Sequence, residues 1–235
     1  IEHPTIFGPI SKKLVLLPSA HEIEYMRDDY DEIYHFIGSS LWFKGKDYDP
    51  ELAAKIMNVV KERARGRKIV YVTLGTVLSY TETGLFTLFL NAFEEMKDEV
   101  FFFMTMGAAG IFDYQPENVQ SAKYVPMNHI LPHIDAAFHQ CGFSTFMGIL
   151  KEGIPSVAIP ILFDQMENAS RLAYHKCGIN LALNKISKDG IKAAVKEILS
   201  NNEIKETSKK FSNIINDYPG PAKGAELLEN MVKNL

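Results

Sequence analysis

Four short runs constrain this chain more than anything else in it: Ile69–Val72, Val100–Met104, Ala136–Phe138 and Val157–Ile159. Each is apolar at every position, and none alternates apolar with polar. A strand of that kind is buried on both faces. Helix-like segments separate the runs, and repeated strand–helix units build a parallel sheet through right-handed crossovers. The expected fold is therefore α/β, a Rossmann-like parallel sheet with helices on both faces.

The helices carry their own punctuation. Asp49-Pro50 reads as a helix start, with Asp at the N-cap, Pro in the first turn and Glu51 behind it. Leu52, Ile56, Val59 and Val60 give one apolar face, and Gly66 stops it. Further helices are expected over Leu85–Met96, Gly142–Leu150, Asn168–Lys176 (closing at Gly178), Ile191–Leu199, Glu203–Asn216 and Ala222–Val232, and a further short strand over Lys123–Val125. Ahead of Asp49 lie two short strand-like runs, Leu14–Leu17 and Tyr34–Gly38, and a linker with Gly and Asp. The domain boundary is placed there: residues 1–48 as the tail of a preceding domain with its linker, residues 49–235 as one sheet domain.

Composition removes several function classes. The net charge of -4 comes without a basic block, whereas nucleic acid demands clustered Lys and Arg. No apolar run reaches the ~18 residues of a membrane span, and no signal peptide is visible. Cys141 and Cys177, the two cysteines, read as reduced core thiols, with a disulfide between them the lesser reading. A cytoplasmic location is expected. The chain opens at Ile1 rather than Met, so a fragment of a longer protein is expected as well.

In an open parallel sheet, ligands sit beyond the carboxyl ends of the strands and against helix N-termini. Four such loops stand out. Thr73-Leu74-Gly75-Thr76 is a strand-to-helix turn in which Thr76 suits a phosphate oxygen, or is a plain tight turn. In Lys123-Tyr124-Val125-Pro126-Met127 the Tyr124 ring either stacks on a base or packs in the core. His139-Gln140-Cys141-Gly142-Phe143-Ser144-Thr145 opens a helix; Gly142 permits close approach and the hydroxyls and amides after it make a pyrophosphate cradle. A catalytic Cys141 with His139 as its base is the lesser reading, since neither a dinucleotide fingerprint nor a nucleophile elbow is present. In the fourth loop Asp164 and Gln165 pair a carboxylate with an amide, good readers of sugar hydroxyls, although Asp164 also serves as a simple N-cap. His129 and His133 stand four apart, but no further ligand keeps register with them, so no metal is expected.

The order and spacing of these four loops resemble the C-terminal domain of the family 1 glycosyltransferases, two-Rossmann-domain (GT-B) enzymes that use UDP- or TDP-sugars. "YVTLGT" is similar to their phosphate turn, and "YVPMNHILPHIDAAFHQCGFSTFMGILKEGIPSVAIPILFDQMENA" to their donor-binding signature. The resemblance implies that Gly75 and Thr76 approach the β-phosphate, that Tyr124 stacks on the base, and that the backbone near Val125 and Met127 holds its edge. It further implies His139, Gln140, Gly142, Ser144 and Thr145 at the pyrophosphate, and Asp164 and Gln165 on the sugar. Gln140 replaces the family's phosphate-contacting His, Met127 a Gln, and Gly148 a ribose-holding Glu. The implied reaction inverts the anomeric carbon of a hexose on transfer to a small lipophilic acceptor, without a cofactor. The family's general base is a His of the N-terminal domain, so no catalytic residue is expected within these residues and the fragment is expected to be inactive alone. A split-enzyme subunit and a decayed nucleotide module are the alternatives. Self-association is expected from the face that meets the N-terminal domain.

Overall fold

The computed structural model describes residues 11–27, 29–41, 49–75, 83–107 and 114–233. By contacts the chain divides into two compact units, Ile1–Ser40 with Asn213–Leu235, and Leu41–Ser212.

The larger unit holds six parallel strands: β3 (Lys68–Thr73), β4 (Val100–Thr105), β5 (Val119–Ala122), β6 (Ala136–His139), β7 (Ser156–Ala158) and β8 (Gly178–Asn180). Their order is β5-β4-β3-β6-β7-β8, every neighbouring pair parallel. The interleaved helices are α1 (Pro50–Ala64), α2 (Thr83–Glu94), α3 (Met127–Ile130), α4 (Phe143–Lys151), α5 (Gln165–Tyr174), α6 (Lys188–Ser200) and α7 (Asn202–Asp217), inside which the division between the units falls. The all-apolar strands have the expected cause. Along β3, Val70 and Val72 join a core with Phe86, Phe89 and Ile198, while Ile69 and Tyr71 join an opposite core with Ile56, Val59 and Ile149. Phe102 and Phe103 divide in the same way. Both strands thus feed two cores, as their period of two dictates.

Local signals set several ends. Asp49 caps α1 by accepting from the Leu52 N–H at 2.8 Å, and Gly66 leaves the helix at φ 90°. Three details differ from the sequence reading. The strand expected at Lys123–Val125 lies earlier, at Val119–Ala122, because pairing with β4 ends at Ala122↔Thr105; Tyr124 is thereby released past the strand end. Helix α5 begins three residues before Asn168. Gly178 does not close a helix but opens β8, where a Cβ would overlap the Ser156 carbonyl; Lys176 makes the left-handed turn instead, at φ 55°.

The smaller unit pairs β1 (Val15–Leu17) with β2 (Tyr34–Phe36) in parallel, Val15 opposite Tyr34. It also contains α8 (Pro221–Lys233). The Gly220 N–H donates to the Ile37 carbonyl at 2.8 Å, the Tyr218 hydroxyl accepts from the His21 N–H at 3.0 Å, and Gly224 lies against Leu16 and Ile37. The reading that kept residues 49–235 together therefore differs from the contacts, which group the tail with the opening segment. Among the described residues no helix is long and apolar enough to cross a membrane.

Candidate functional site

Strand order decides where a ligand fits. The chain leaves β3 toward β4 and β5 on one side and returns to β6, β7 and β8 on the other. The two loops that diverge at this switch point, after β3 and after β6, frame a crevice at the carboxyl edge. Gly75, at φ 74°, and Gly142, the N-cap of α4, face each other across it with the Gln140 side chain between them. A Cβ on Gly75 would overlap the Gln140 amide, and one on Gly142 would stand 3.2 Å from Nε2. Gln140 Oε1 is enclosed and has no hydrogen-bond partner among the described residues. The two ends of that amide are distinguished only by their partners, so a half-turn of the group exchanges donor and acceptor.

Beside Gly75 opens a cavity of about 160 Å³. Its walls bring together Gly75, Tyr124, Val125, Met127 and Thr145 from the sequence reading. Thr73 and Lys123, from two of the candidate loops, complete it with Tyr71, Thr105 and Gly107, which lie outside those loops. The Tyr71 and Thr105 hydroxyls meet at 3.1 Å, and the Thr73 hydroxyl accepts from the Gly75 N–H at 3.3 Å; the signal, a hydroxyl at or near the end of each of two strands, looks in sequence like ordinary strand composition. Tyr124 is 65% exposed, which offers a ring face, whereas Val125 is buried beneath it. Met127 packs over α4 where Gly148 leaves room: a Cβ there would lie 2.9 Å from the Met127 methyl. Two departures from the family pattern are thus a single apolar contact.

The α4 N-terminus carries open donors. The Phe146 N–H returns to the Gly142 carbonyl, and the Phe143 N–H donates to Asp164 Oδ2 at 3.1 Å. The amides of Ser144 and Thr145, first-turn groups without an intrahelical acceptor, have no partner among the described residues. Asp164 stands at the N-cap of α5 yet makes no capping bond there; its carboxylate reaches across to α4 and also accepts from Asn168 Nδ2 at 2.8 Å. Gln165 is buried, and its Oε1 accepts from the Ile161 and Leu162 N–H groups, both at 2.9 Å. That bond pair holds the turn at Phe163, an exposed residue in the left-handed region at φ 54°.

Two sequence candidates change role. His139 is fully buried; its Nδ1 accepts from the Cys141 N–H at 3.1 Å, so Nε2 carries the proton and donates to Ser156 Oγ at 2.9 Å. Burial lowers its pKa to about 3. With both nitrogens engaged in the sheet it has none for a ligand, which corrects its assignment to the pyrophosphate. Nor does it serve as a base for Cys141, whose thiol burial drives well above its ordinary pKa, with Asp164 adding to the rise. Thr76 lies outside the described residues. His129 lies in α3 and His133 in the 3-10 turn after it, rather than on a shared helix face. No group of His, Cys, Asp or Glu able to hold a metal occurs among the described residues.

Residues 87–231, more than half of the chain, match the family model described as erythromycin biosynthesis protein CIII-like, C-terminal domain. A demethyllactenocin mycarosyltransferase of Streptomyces fradiae is 27% identical over 214 residues, which cover 89% of this chain and 43% of that enzyme. The chain therefore spans less than half the length of that relative. Among solved structures, the glycotransferase of kitacinnamycin superposes with a TM-score of 0.78 at 22% identity, over 93% of this chain and 55% of that one. A Streptomyces sp. glycosyltransferase solved with thymidine diphosphate superposes with a TM-score of 0.71 at 18% identity, over 95% of this chain and 53% of that one. At these identities the structural likeness establishes the fold, that of one half of a two-Rossmann-domain glycosyltransferase.

Proposed function

Since the chain belongs to the family of erythromycin biosynthesis protein CIII-like C-terminal domains, we propose that its larger unit binds the nucleotide-sugar donor of a glycosyltransferase. The donor is a UDP- or TDP-hexose, and transfer to a small lipophilic acceptor inverts the anomeric carbon. The observation that carries this reading is the meeting of an open helix N-terminus with an unpartnered amide. Ser144 and Thr145 present free N–H groups at the crevice that holds Gln140 Oε1. A diphosphate oxygen satisfies the helix amides, and the Gln140 Nε2, which lies against Gly75 and Gly142, donates to another. The uncharged Gln140 loses less to desolvation than an imidazolium would, while the α4 dipole supplies about half a positive charge.

Each part of the donor then has a surface of the right chemistry. The base stacks on the exposed Tyr124 ring with its edge toward the Val125 backbone. Gly75 and Gly142 admit the diphosphate close to the chain. Asp164 and Gln165 receive the sugar hydroxyls, each both donor and acceptor. During transfer, negative charge grows on the departing diphosphate, and the preorganised amides of α4 stabilise that charge more than the bound ground state. Held at both ends, the sugar presents its anomeric carbon in line for the acceptor hydroxyl. In this proposal the acceptor and the general base come from beyond these residues, so the 235-residue chain binds donor without turnover.

Isothermal titration with UDP, TDP and UDP-glucose tests the reading. Saturable binding of at least one nucleoside diphosphate, weakened several-fold by Thr145→Ala, is the expected result. Absence of heat and of any thermal shift with every one of them at millimolar concentration sinks it.

A further inference from the structure

Asn168 is 4% exposed and sits in the first turn of α5. An amide in that position favours turns over helix and is costly to bury unless it is bonded. Both hydrogens of its Nδ2 are used. One goes to the Cys141 carbonyl at 3.0 Å, the other to Asp164 Oδ2 at 2.8 Å. The carbonyl belongs to a residue in the left-handed region, at φ 66°, on the loop that enters α4. A non-glycine residue persists there only where its surroundings hold it, and the Asn168 bond is one such restraint. The carboxylate oxygen on the other side also takes the Phe143 N–H. With Oδ2 held by two donors, Asp164 has one rotamer in which Oδ1, without a partner among the described residues, is the oxygen left for a ligand.

Resting on the donor-binding reading above, we infer that Asn168 is a positioning residue: it aims the Asp164 carboxylate at the sugar and ties that carboxylate to the loop that receives the diphosphate. Sugar reading and diphosphate binding are then coupled through one side-chain nitrogen. A merely structural Asn168 lowers stability and weakens every ligand alike. A positioning Asn168 instead changes the ratio between two ligands that differ only in the sugar.

That ratio is the experiment. The wild-type chain, Asp164→Ala, Asn168→Ala and the double variant are titrated with UDP, UDP-glucose, TDP and TDP-glucose, and each is followed by thermal unfolding. Asp164→Ala is expected to lower the sugar's contribution, the quotient of the diphosphate and diphosphate-sugar dissociation constants, by about tenfold, the scale of one hydrogen bond to a charged group. Asn168→Ala should lower it equally, and the double variant no further, as coupled positions require. Asn168→Asp keeps the volume, removes both donor hydrogens and sets like charges side by side; it serves where the alanine variant is too unstable, with the same expectation. The inference is overturned if Asn168 variants keep the wild-type quotient while Asp164→Ala collapses it, or if the two losses add. A wild-type chain that binds diphosphates without any gain from the sugar also overturns it. A wild-type chain that binds no diphosphate at all removes the donor-binding reading itself.

Discussion

Where β6 and β7 run into α4 and α5, the polar groups hold one another. Asp164 bridges the α4 amide and Asn168, Gln165 staples its own loop, and His139 is tied on both ring nitrogens. Where β5 runs into α3, the surfaces are Tyr124, Val125 and Met127, which offer a ring face, a buried aliphatic group and a thioether. The first region has its geometry before any ligand arrives. The second presents shape and apolar area and lets the ligand choose the contact. A site for a molecule that is charged at one end and flat and aromatic at the other needs both: directional groups must be preorganised because their misplacement is costly, whereas stacking tolerates small shifts.

The largest test of the bonded region is acid. Burial lowers the His139 pKa to about 3 from an ordinary 6.5. The unfolded chain takes up a proton at this residue below about pH 6.5, and the folded chain does not until about 3. The stability conferred by the neutral ring is therefore complete above that upper value and is lost as pH falls toward the lower one, at about 1.4 kcal/mol per pH unit. The urea midpoint should fall more steeply between about pH 6 and pH 4 in the wild type than in His139→Gln; parallel slopes would break the claim. Next comes Gly75→Ala. Its φ of 74° and the overlap of a new Cβ with Gln140 should cost about 1–3 kcal/mol by denaturant unfolding and abolish diphosphate binding. A stable variant with native affinity would show that the crevice is looser than its geometry.

Asp164→Ala and Tyr124→Ala then form a crossed pair. The first frees the Phe143 amide and should lower stability by about 1 kcal/mol. The second removes a largely exposed ring, should leave stability within about 0.5 kcal/mol, and should weaken nucleoside diphosphates about tenfold through lost stacking. Reversal of either pattern would erase the distinction between the regions. Gly148→Ala is the smallest. Helix propensity favours alanine by about 1 kcal/mol, against displacement of the Met127 methyl from 2.9 Å, so unfolding should shift by no more than about 0.5 kcal/mol.

Much of this molecule was legible without coordinates. Loops that end in Gly or Pro after an all-apolar run marked the carboxyl edge, so Gly75, Gly142 and Asp164 were placed at strand ends. His139 was misread because adjacent residues on a strand face opposite ways, and sequence does not say which of His139 and Gln140 turns toward the crevice. Asn168 was overlooked as a site residue because the Cys141 carbonyl that it holds lies on another loop. β8 was missed because its first residue is a glycine, which in isolation signals a helix end; only the close approach to Ser156 reveals a strand.

The identity of the four all-apolar strands, the two buried faces and the Asp49 cap follow from chemistry within a few residues, so the sequence by itself determined them. The placement of β3 beside β6, which brings Gly75 against Gln140, was decided by tertiary packing alone. So were the reach of Asp164 to a backbone amide of α4 rather than to one of its own helix and the grouping of α8 with the opening strands. Propensity and period act over one turn or one pleat, whereas strand order and the partner of a buried polar group are settled by which distant surfaces can be buried together.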